Sequence, residues 1–397
     1  MRQAKSSPET AAFAVLGAIS LGHLLNDLLQ SLIPAIYPVL KTSFGLSFSQ
    51  IGIITLVFYV AASVFQPLVG LYADKRTQPY ALPTAMVFSM CGILLLALAP
   101  NNAAVLTAAL LVGLGSSVFH PEASRVARAA SGGRHGLAQS VFQVGGTFGS
   151  ALGPLAAAYL VVPRGQESVA WFGLVAFVAM ILLSRVGSWH GKQAARRATH
   201  AETGPRRRVG LALSILLLLI FSKYFYLAGI GSFFTFYLID RFHLTVTDAQ
   251  LHLFAFSAAS AAGTFFGGPL GDRFGRKYVI WASILGVLPF SLALPYADLV
   301  WTGVLSVIIG ATISAAFSAI VVYGQELMPG RVGAVSGLFF GFAFGMAGMG
   351  AAVLGTLADL TSIGFVYKVC AFLPALGLFT AFLPDLGAER RRVLADA

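Results

Sequence analysis

Gly268-Pro269-Leu270-Gly271-Asp272-Arg273-Phe274-Gly275-Arg276-Lys277 closes one long apolar run and leads into the next. Earlier in the chain Gly70-Leu71-Tyr72-Ala73-Asp74-Lys75-Arg76 does the same, so Asp74 and Asp272 stand at matching helix ends. The same offset aligns Phe44-Gly45-Leu46-Ser47-Phe48-Ser49 with Phe242-His243-Leu244-Thr245-Val246-Thr247. Arg134-His135-Gly136-Leu137-Ala138-Gln139-Ser140 likewise lines up with Arg331-Val332-Gly333-Ala334-Val335-Ser336-Gly337. A repeat carried by several elements in register is an internal duplication.

The chain has 397 residues, of which 57% are hydrophobic and 10% charged, with a mean hydropathy of +0.82. Soluble domains are about a quarter charged, so the composition is that of a polytopic membrane protein. At roughly 20 apolar residues per spanning helix, this length holds about a dozen. The apolar runs predict helices over about residues 13–40, 49–73, 80–99, 103–128, 137–162 and 169–188, then 211–239, 248–271, 278–296, 299–327, 332–358 and 364–383. Pro34 and Pro38 are expected to kink the outer end of the first. The expected organisation is a six-helix bundle over 1–188, a basic cytoplasmic linker over 189–209, and a second bundle over 210–397 with a short cytoplasmic tail. Two such halves form an internally duplicated transporter, with its site between them near mid-membrane. Cys91 and Cys370 lie in apolar runs and read as small core residues. The first run carries His23, Asn26 and Asp27, unlike the short apolar core of a cleavable signal. Neither cofactor nor metal is expected.

The net charge of +11 would suit a nucleic-acid binder, but its distribution has another origin. Lys75, Arg76, Arg125, Arg128, Arg134, Arg185, Lys192, Arg196, Arg197, Arg206, Arg207, Arg208, Arg273, Arg276, Lys277 and Arg331 all fall at one set of alternate connections. The other set keeps only Lys41, Arg164 and Arg241. This positive-inside pattern puts both termini in the cytoplasm and removes nucleic acid as a partner. The linker arginines are either a solvated connection or a site for anionic lipid heads.

The loop Gly268 to Lys277 resembles, at every position, the signature of the major facilitator superfamily: a glycine, three residues, Asp-Arg, one residue, Gly-Arg-Lys. The earlier copy keeps Gly70, Asp74 and Lys75 but has Thr77, Gln78 and Pro79 where the last glycine and basic pair would stand. Gly145, Gly149, Gly153 and Pro154 resemble the fifth-helix motif associated with proton antiporters. Their four-residue spacing also makes a smooth face for close helix packing, which suffices without antiport chemistry. His23 to Asp27, Gly70 to Arg76, and His120 to Arg128 with Gly132-Gly133-Arg134-His135-Gly136 resemble the fosmidomycin-resistance family of bacterial drug exporters. The resemblance covers nearly the whole membrane region. It implies an all-α membrane fold, twelve transmembrane helices in two pseudo-symmetric six-helix bundles, with helices 1, 4, 7 and 10 lining a central cavity.

Three of those four helices carry ionisable residues, which are costly in a membrane and mark pathways. Asp27, Glu122 and His23 are candidates for proton coupling. A carboxylate moved between a wet, cation-paired setting and a dry one changes its proton affinity, and His23 sits one turn away as a relay. The alternatives are a helix–helix hydrogen bond for Asp27 and a satisfied core histidine for His23. Glu122 and Arg125 are three apart on one face and could neutralise each other. Lys223 lacks an acidic neighbour one turn away, so it needs Asp27, Glu122 or an anionic ligand; a phosphonate would suit its compact charge. Arg125, His120, Asn26, Gln143, Tyr224, Tyr226 and Tyr59 are the other candidate substrate contacts. Asp74, Asp272, Arg273 and Arg276 are candidate gating residues, an aspartate at a helix end being suited to cap a neighbouring helix N-terminus.

The expected function is a secondary active transporter, a monomer in the lipid bilayer, exchanging protons for an exported small drug-like or anionic compound. The alternative is a proton-coupled symporter importing a small organic anion. No H-E-x-x-H, G-x-S-x-G or G-x-x-x-x-G-K-[ST] pattern is present, which argues against an enzyme and against ATP as the energy source.

Overall fold

The computed structural model describes residues 12–46, 48–197 and 209–384. The linker residues Arg206, Arg207 and Arg208 and the tail over 385–397 lie outside the described residues, as does Ser47 of the aligned repeat. The membrane helices are α1 (Phe13–Ala35), α2 (Ile53–Lys75), α3 (Ala81–Ala97), α4 (Asn102–Ala129), α5 (His135–Val161) and α6 (Phe172–Arg197) in the first half. The second half holds α7 (Val209–Phe242), α8 (Val246–Phe274), α9 (Arg276–Tyr296), α10 (Leu299–Leu327), α11 (Val332–Leu360) and α12 (Ile363–Phe382). Eleven spans among the described residues are long and apolar enough to cross a membrane, and α3 is a shorter apolar helix in the third place. Together they form the two pseudo-symmetric six-helix bundles.

Prolines set the breaks. The segment expected as one kinked helix over about 13–40 is two, α1 and a short helix Tyr37–Phe44. Pro38 has no N–H to continue the helical ladder, so the chain breaks at Ile36. Pro67 has the same effect on α2, which is interrupted at Phe65. Helix α6 runs past the expected boundary at Ser188 as far as Arg197, so the start of the linker stretch is helical.

Helix starts on the two sides of the bundle are built differently. On the side away from the linker, α4, α8, α10 and α12 begin with local caps: Asn101, Thr245, Asp298 and Ser362 each accept from a backbone N–H three residues on. Such caps satisfy otherwise orphaned donors. On the linker side, α5 and α11 are capped across the halves. The Asp74 carboxylate accepts from the N–H groups of Gly333 and Ala334, both at 2.8 Å. The Asp272 carboxylate accepts from Gly136 at 3.2 Å and Leu137 at 3.0 Å. The aligned repeats thus make the same bond twice, in opposite senses.

Glycine makes these approaches possible. A Cβ on Gly333 would come within 2.7 Å of the Gly70 carbonyl oxygen, and one on Gly136 within 2.6 Å of both the Gly268 carbonyl and Asp272. Apolar burial follows the same division. One continuous core on the linker side draws on both halves, including Ile19, Phe119, Phe142, Leu216, Ile320 and Phe339. On the opposite side each half has its own core, around Leu32, Ile93 and Val112 in one and Phe234, Ile309 and Tyr367 in the other. The molecule is closed on the linker side.

The caps predict the effect of a single methyl group. Gly333→Ala should open the linker side, read as a longer electron–electron distance between spin labels on Arg76 and Arg331, which are exposed on opposite halves. An unchanged distance distribution would show that closure does not depend on this approach.

Candidate functional site

Asp27 lies midway along α1, on the face turned toward α4 and α5. Its Oδ2 is 3.3 Å from His23 Nε2 and its Oδ1 is 3.5 Å from His120 Nε2. Asn26 Nδ2 donates to Oδ1 at 2.9 Å and Gln30 Nε2 at 3.4 Å. These groups replace most of the carboxylate's water: its side chain is 15% exposed, against 4% and 1% for His23 and His120. Both imidazoles are held from behind. His23 Nδ1 faces the Phe142 carbonyl at 2.8 Å and His120 Nδ1 the Ser116 carbonyl at 2.9 Å. A carbonyl only accepts, so each Nδ1 carries hydrogen and each Nε2 is turned to Asp27. Ser116 Oγ donates to Gln30 Oε1 at 3.1 Å, closing the ring of bonds. The His23 ring stacks on Phe142 with centroids 4.1 Å apart, and His120 packs against Phe340 and Phe344.

Helix α5 comes this close to α1 because its glycines meet α1 directly. A Cβ on Gly145, Gly149 or Gly153 would collide with the Ser20 carbonyl, the Leu24 carbonyl or the Ser31 hydroxyl. Pro154 stands just before the α-helical part of α5 gives way to a π turn, Ala157–Val161.

Two and five residues beyond His120 on α4, Glu122 and Arg125 belong to a second group. Arg125 Nη1 donates to Glu122 Oε2 at 2.9 Å, and His190 Nδ1 lies 3.1 Å from Glu122 Oε1. Arg125 Nε reaches Asp74 Oδ1 at 3.4 Å. Glu122 is therefore tied to α6 and, through Arg125, to the carboxylate that caps α11. In the second half Arg276 takes this bracing role, bonding Asp272 and Glu326 at 3.0 Å each. Arg273 turns away, its guanidinium 5.2 Å from the Phe274 ring.

On α7, Lys223 is 3% exposed and makes no hydrogen bond or ion pair among the described residues. Its ammonium sits 5.5 Å from the Tyr224 ring and 5.4 Å from Phe317, where ring faces attract a cation. Tyr59 packs toward Phe344, beside His120. Gln143 is buried with its Oε1 unpaired. Tyr226 sits apart, in the core of the second half with Ser291, Tyr367 and Cys370.

Sequence reasoning missed two sets of contacts. His190 was read as part of the polar linker, yet Gly187 and Gly191 seat the end of α6 on Pro79 and bring it to Glu122. Pro79 is one of the residues that depart from the loop signature, and it serves this docking. The second set crosses between the halves. Gln325 Nε2 donates to Ser336 Oγ at 2.9 Å and Ser124 Oγ at 3.2 Å, Ser124 donates to Gln139 Oε1 at 3.1 Å, and Arg128 Nη1 donates to Gln325 Oε1 at 3.1 Å. The aligned pair Gln139 and Ser336 was the signal that could have found it.

The sequence matches the model of the Major Facilitator Superfamily over residues 19–340 and 216–395. It is 61% identical over 387 residues to the Fosmidomycin resistance protein of Escherichia coli (strain K12), covering 96% of this chain and 95% of that one. It is 44% identical to the MFS-type transporter YfnC of Bacillus subtilis (strain 168), over 95% and 94% of the two chains. Among solved structures, that of the human organic anion transporter MFSD10 (TETRAN) superposes with a TM-score of 0.77 at 18% identity, over 94% of this chain and 100% of that one. The chain is thus a multi-pass membrane transport protein, not an enzyme, and belongs to the Major Facilitator Superfamily, in the family of the Fosmidomycin resistance protein.

Proposed function

We propose that this chain is a proton-coupled antiporter that exports a small anionic compound of the fosmidomycin type across the bacterial inner membrane. It works as a monomer with both termini in the cytoplasm, the bodies 1–188 and 210–397 rocking about the linker 189–209. The observation that carries the reading is the half-buried carboxylate of Asp27 bracketed by two buried imidazoles whose Nε2 atoms face it. Such a site gains and loses protons as its access changes. With the linker side cytoplasmic, the closed face described above leaves Asp27 to the outside, where protons load.

Lys223 is the anion-binding group. A buried ammonium without a counter-ion needs a negative partner, and a phosphonate provides several strong acceptors. Tyr224, Tyr59, Gln143 and Asn26 supply hydrogen bonds around it. Asp74 and Asp272, braced by Arg125 and Arg276, hold the outward-facing state, and Glu122 anchors Arg125. The export sense is supported by the relative at 61% identity, which is named for resistance to fosmidomycin; resistance calls for a lower internal concentration.

In proteoliposomes under imposed pH gradients of both signs, fosmidomycin should accumulate against an opposing proton flow. Accumulation in the direction of proton flow would instead identify an importing symporter. Asp27→Asn should abolish gradient-driven accumulation while substrate exchange survives; a normal pump in this variant would remove Asp27 from coupling. Lys223→Ala should weaken binding of the anion at least about tenfold, since a hydrogen bond to a charged group contributes ~1.5–3 kcal/mol. Titration calorimetry with fosmidomycin reads this directly, and an unchanged affinity would end the binding role of Lys223.

A further inference from the structure

We infer that His23, Asp27 and His120 form a binding site for one divalent transition-metal ion of the Zn²⁺ type. His23 Nε2, His120 Nε2 and the Asp27 carboxylate lie within 4.8 Å of one another. Both Nδ1 atoms are committed to backbone carbonyls, so both Nε2 lone pairs point at a group that can itself only accept. Three acceptors aimed at one spot repel unless a cation sits among them. His120 Nε2 is buried and has no hydrogen-bond partner, so the arrangement is not already satisfied within the chain. Two protons answer the need, and so does a single divalent ion.

The geometry suits the metal. With metal–ligand bonds of ~2.0–2.2 Å, tetrahedral ligand atoms lie about 3.3–3.6 Å apart; His23 Nε2 is 3.3 Å from one carboxylate oxygen and His120 Nε2 3.5 Å from the other, so a small turn of the carboxylate brings one oxygen into a shell with both imidazoles. Ligating histidines characteristically donate their other N–H to a carbonyl or carboxylate, as both do here. Asn26 and Gln30 hold the carboxylate through Oδ1, leaving Oδ2 free of amide donors. Room for the ion comes from Gly146. A Cβ there would collide with His23 Nε2 and come within 2.7 Å of Asp27 Oδ2. Two imidazoles and a carboxylate suit Zn²⁺, Co²⁺ or Ni²⁺ better than hard cations, and leave a fourth position open to water or a substrate anion. Only the consequence for transport rests on the function proposed above: a bound ion occupies the proton site and blocks proton-driven transport.

The test is titration of the detergent-solubilised full chain, freed of any oligohistidine tag, with Co²⁺. One equivalent should produce the visible absorption of a four-coordinate nitrogen–oxygen site. Asp27→Asn, His120→Gln and Gly146→Ala should each weaken it about 100-fold or more, while His243→Ala, at an exposed histidine, should not. X-ray absorption on the unmodified chain with one Zn²⁺ should show two imidazoles in the metal's shell, a readout that needs no variant to fold. No stoichiometric band, a band surviving in His120→Gln, or a metal shell without imidazoles would overturn the site. Zn²⁺ inhibition of proton-driven uptake into proteoliposomes is then measured separately. Intact proton-driven transport with no Co²⁺ signal refutes the metal site alone; a Co²⁺ signal in a chain that no proton gradient drives refutes the coupling alone.

Discussion

The closed face of this molecule hangs on two carboxylates, each placed on the N-terminus of a helix in the opposite half. Asp74 holds α11 and Asp272 holds α5. A carboxylate near a helix N-terminus is stabilising by about 0.3–1 kcal/mol at the surface and up to ~2 kcal/mol when partly buried. The pair therefore contributes on the order of a few kcal/mol, comparable to what ligand binding can redirect between two conformations. Much tighter closure would trap the transporter, and much looser closure would leak. The small contribution is thus consistent with an interface that must open, and the glycines at Gly136 and Gly333 set it, since any side chain there would push the carboxylates away.

The two carboxylates are braced differently, although the repeat makes them equivalent. Asp272 is held by Arg276 from its own loop, as the intact signature implies. Asp74 sits in the loop that lost its terminal basic pair, and Arg125 reaches it from α4 instead. In that loop Pro79 seats the end of α6, which brings His190 to the Glu122 carboxylate that pairs with Arg125. The Asp272 brace is thus local, and the Asp74 brace is connected to the interior of the first half.

The fold was largely legible in the chain because membrane length, charge asymmetry and the repeat each constrain it independently. The Glu122–Arg125 pair was legible for the same reason: helical spacing of three puts both on one face. His120 and Ser124 share a face by that rule too, yet His120 turns to Asp27 while Ser124 turns to the second half. Which neighbour a face meets is a tertiary fact, and no spacing rule carries it. His190 was hidden by composition, since a polar stretch reads as a loop even where a helix continues through it. Lys223 was expected to need a carboxylate or an anionic ligand, and it lies over aromatic rings with no carboxylate paired to it among the described residues; the rings that shelter it come from α7 and α10.

Helix α4 joins these separate features. Over little more than two turns it presents His120 to Asp27, Glu122 and Arg125 to the Asp74 cap, and Ser124 and Arg128 to Gln325 of the other half. His120 and Arg125 are five residues apart, roughly 7.5 Å along the axis at 1.5 Å per residue. A helix is stiff over that length, so a displacement that relieves or enforces contact at His120 is delivered to Arg125 nearly undiminished. Parting the halves on the linker side must break both the Asp74 cap and the Gln325 network, because each crosses the interface. The group around Asp27 and the interface between the halves therefore bear on the same rigid element, so α4 cannot shift at one without disturbing the other.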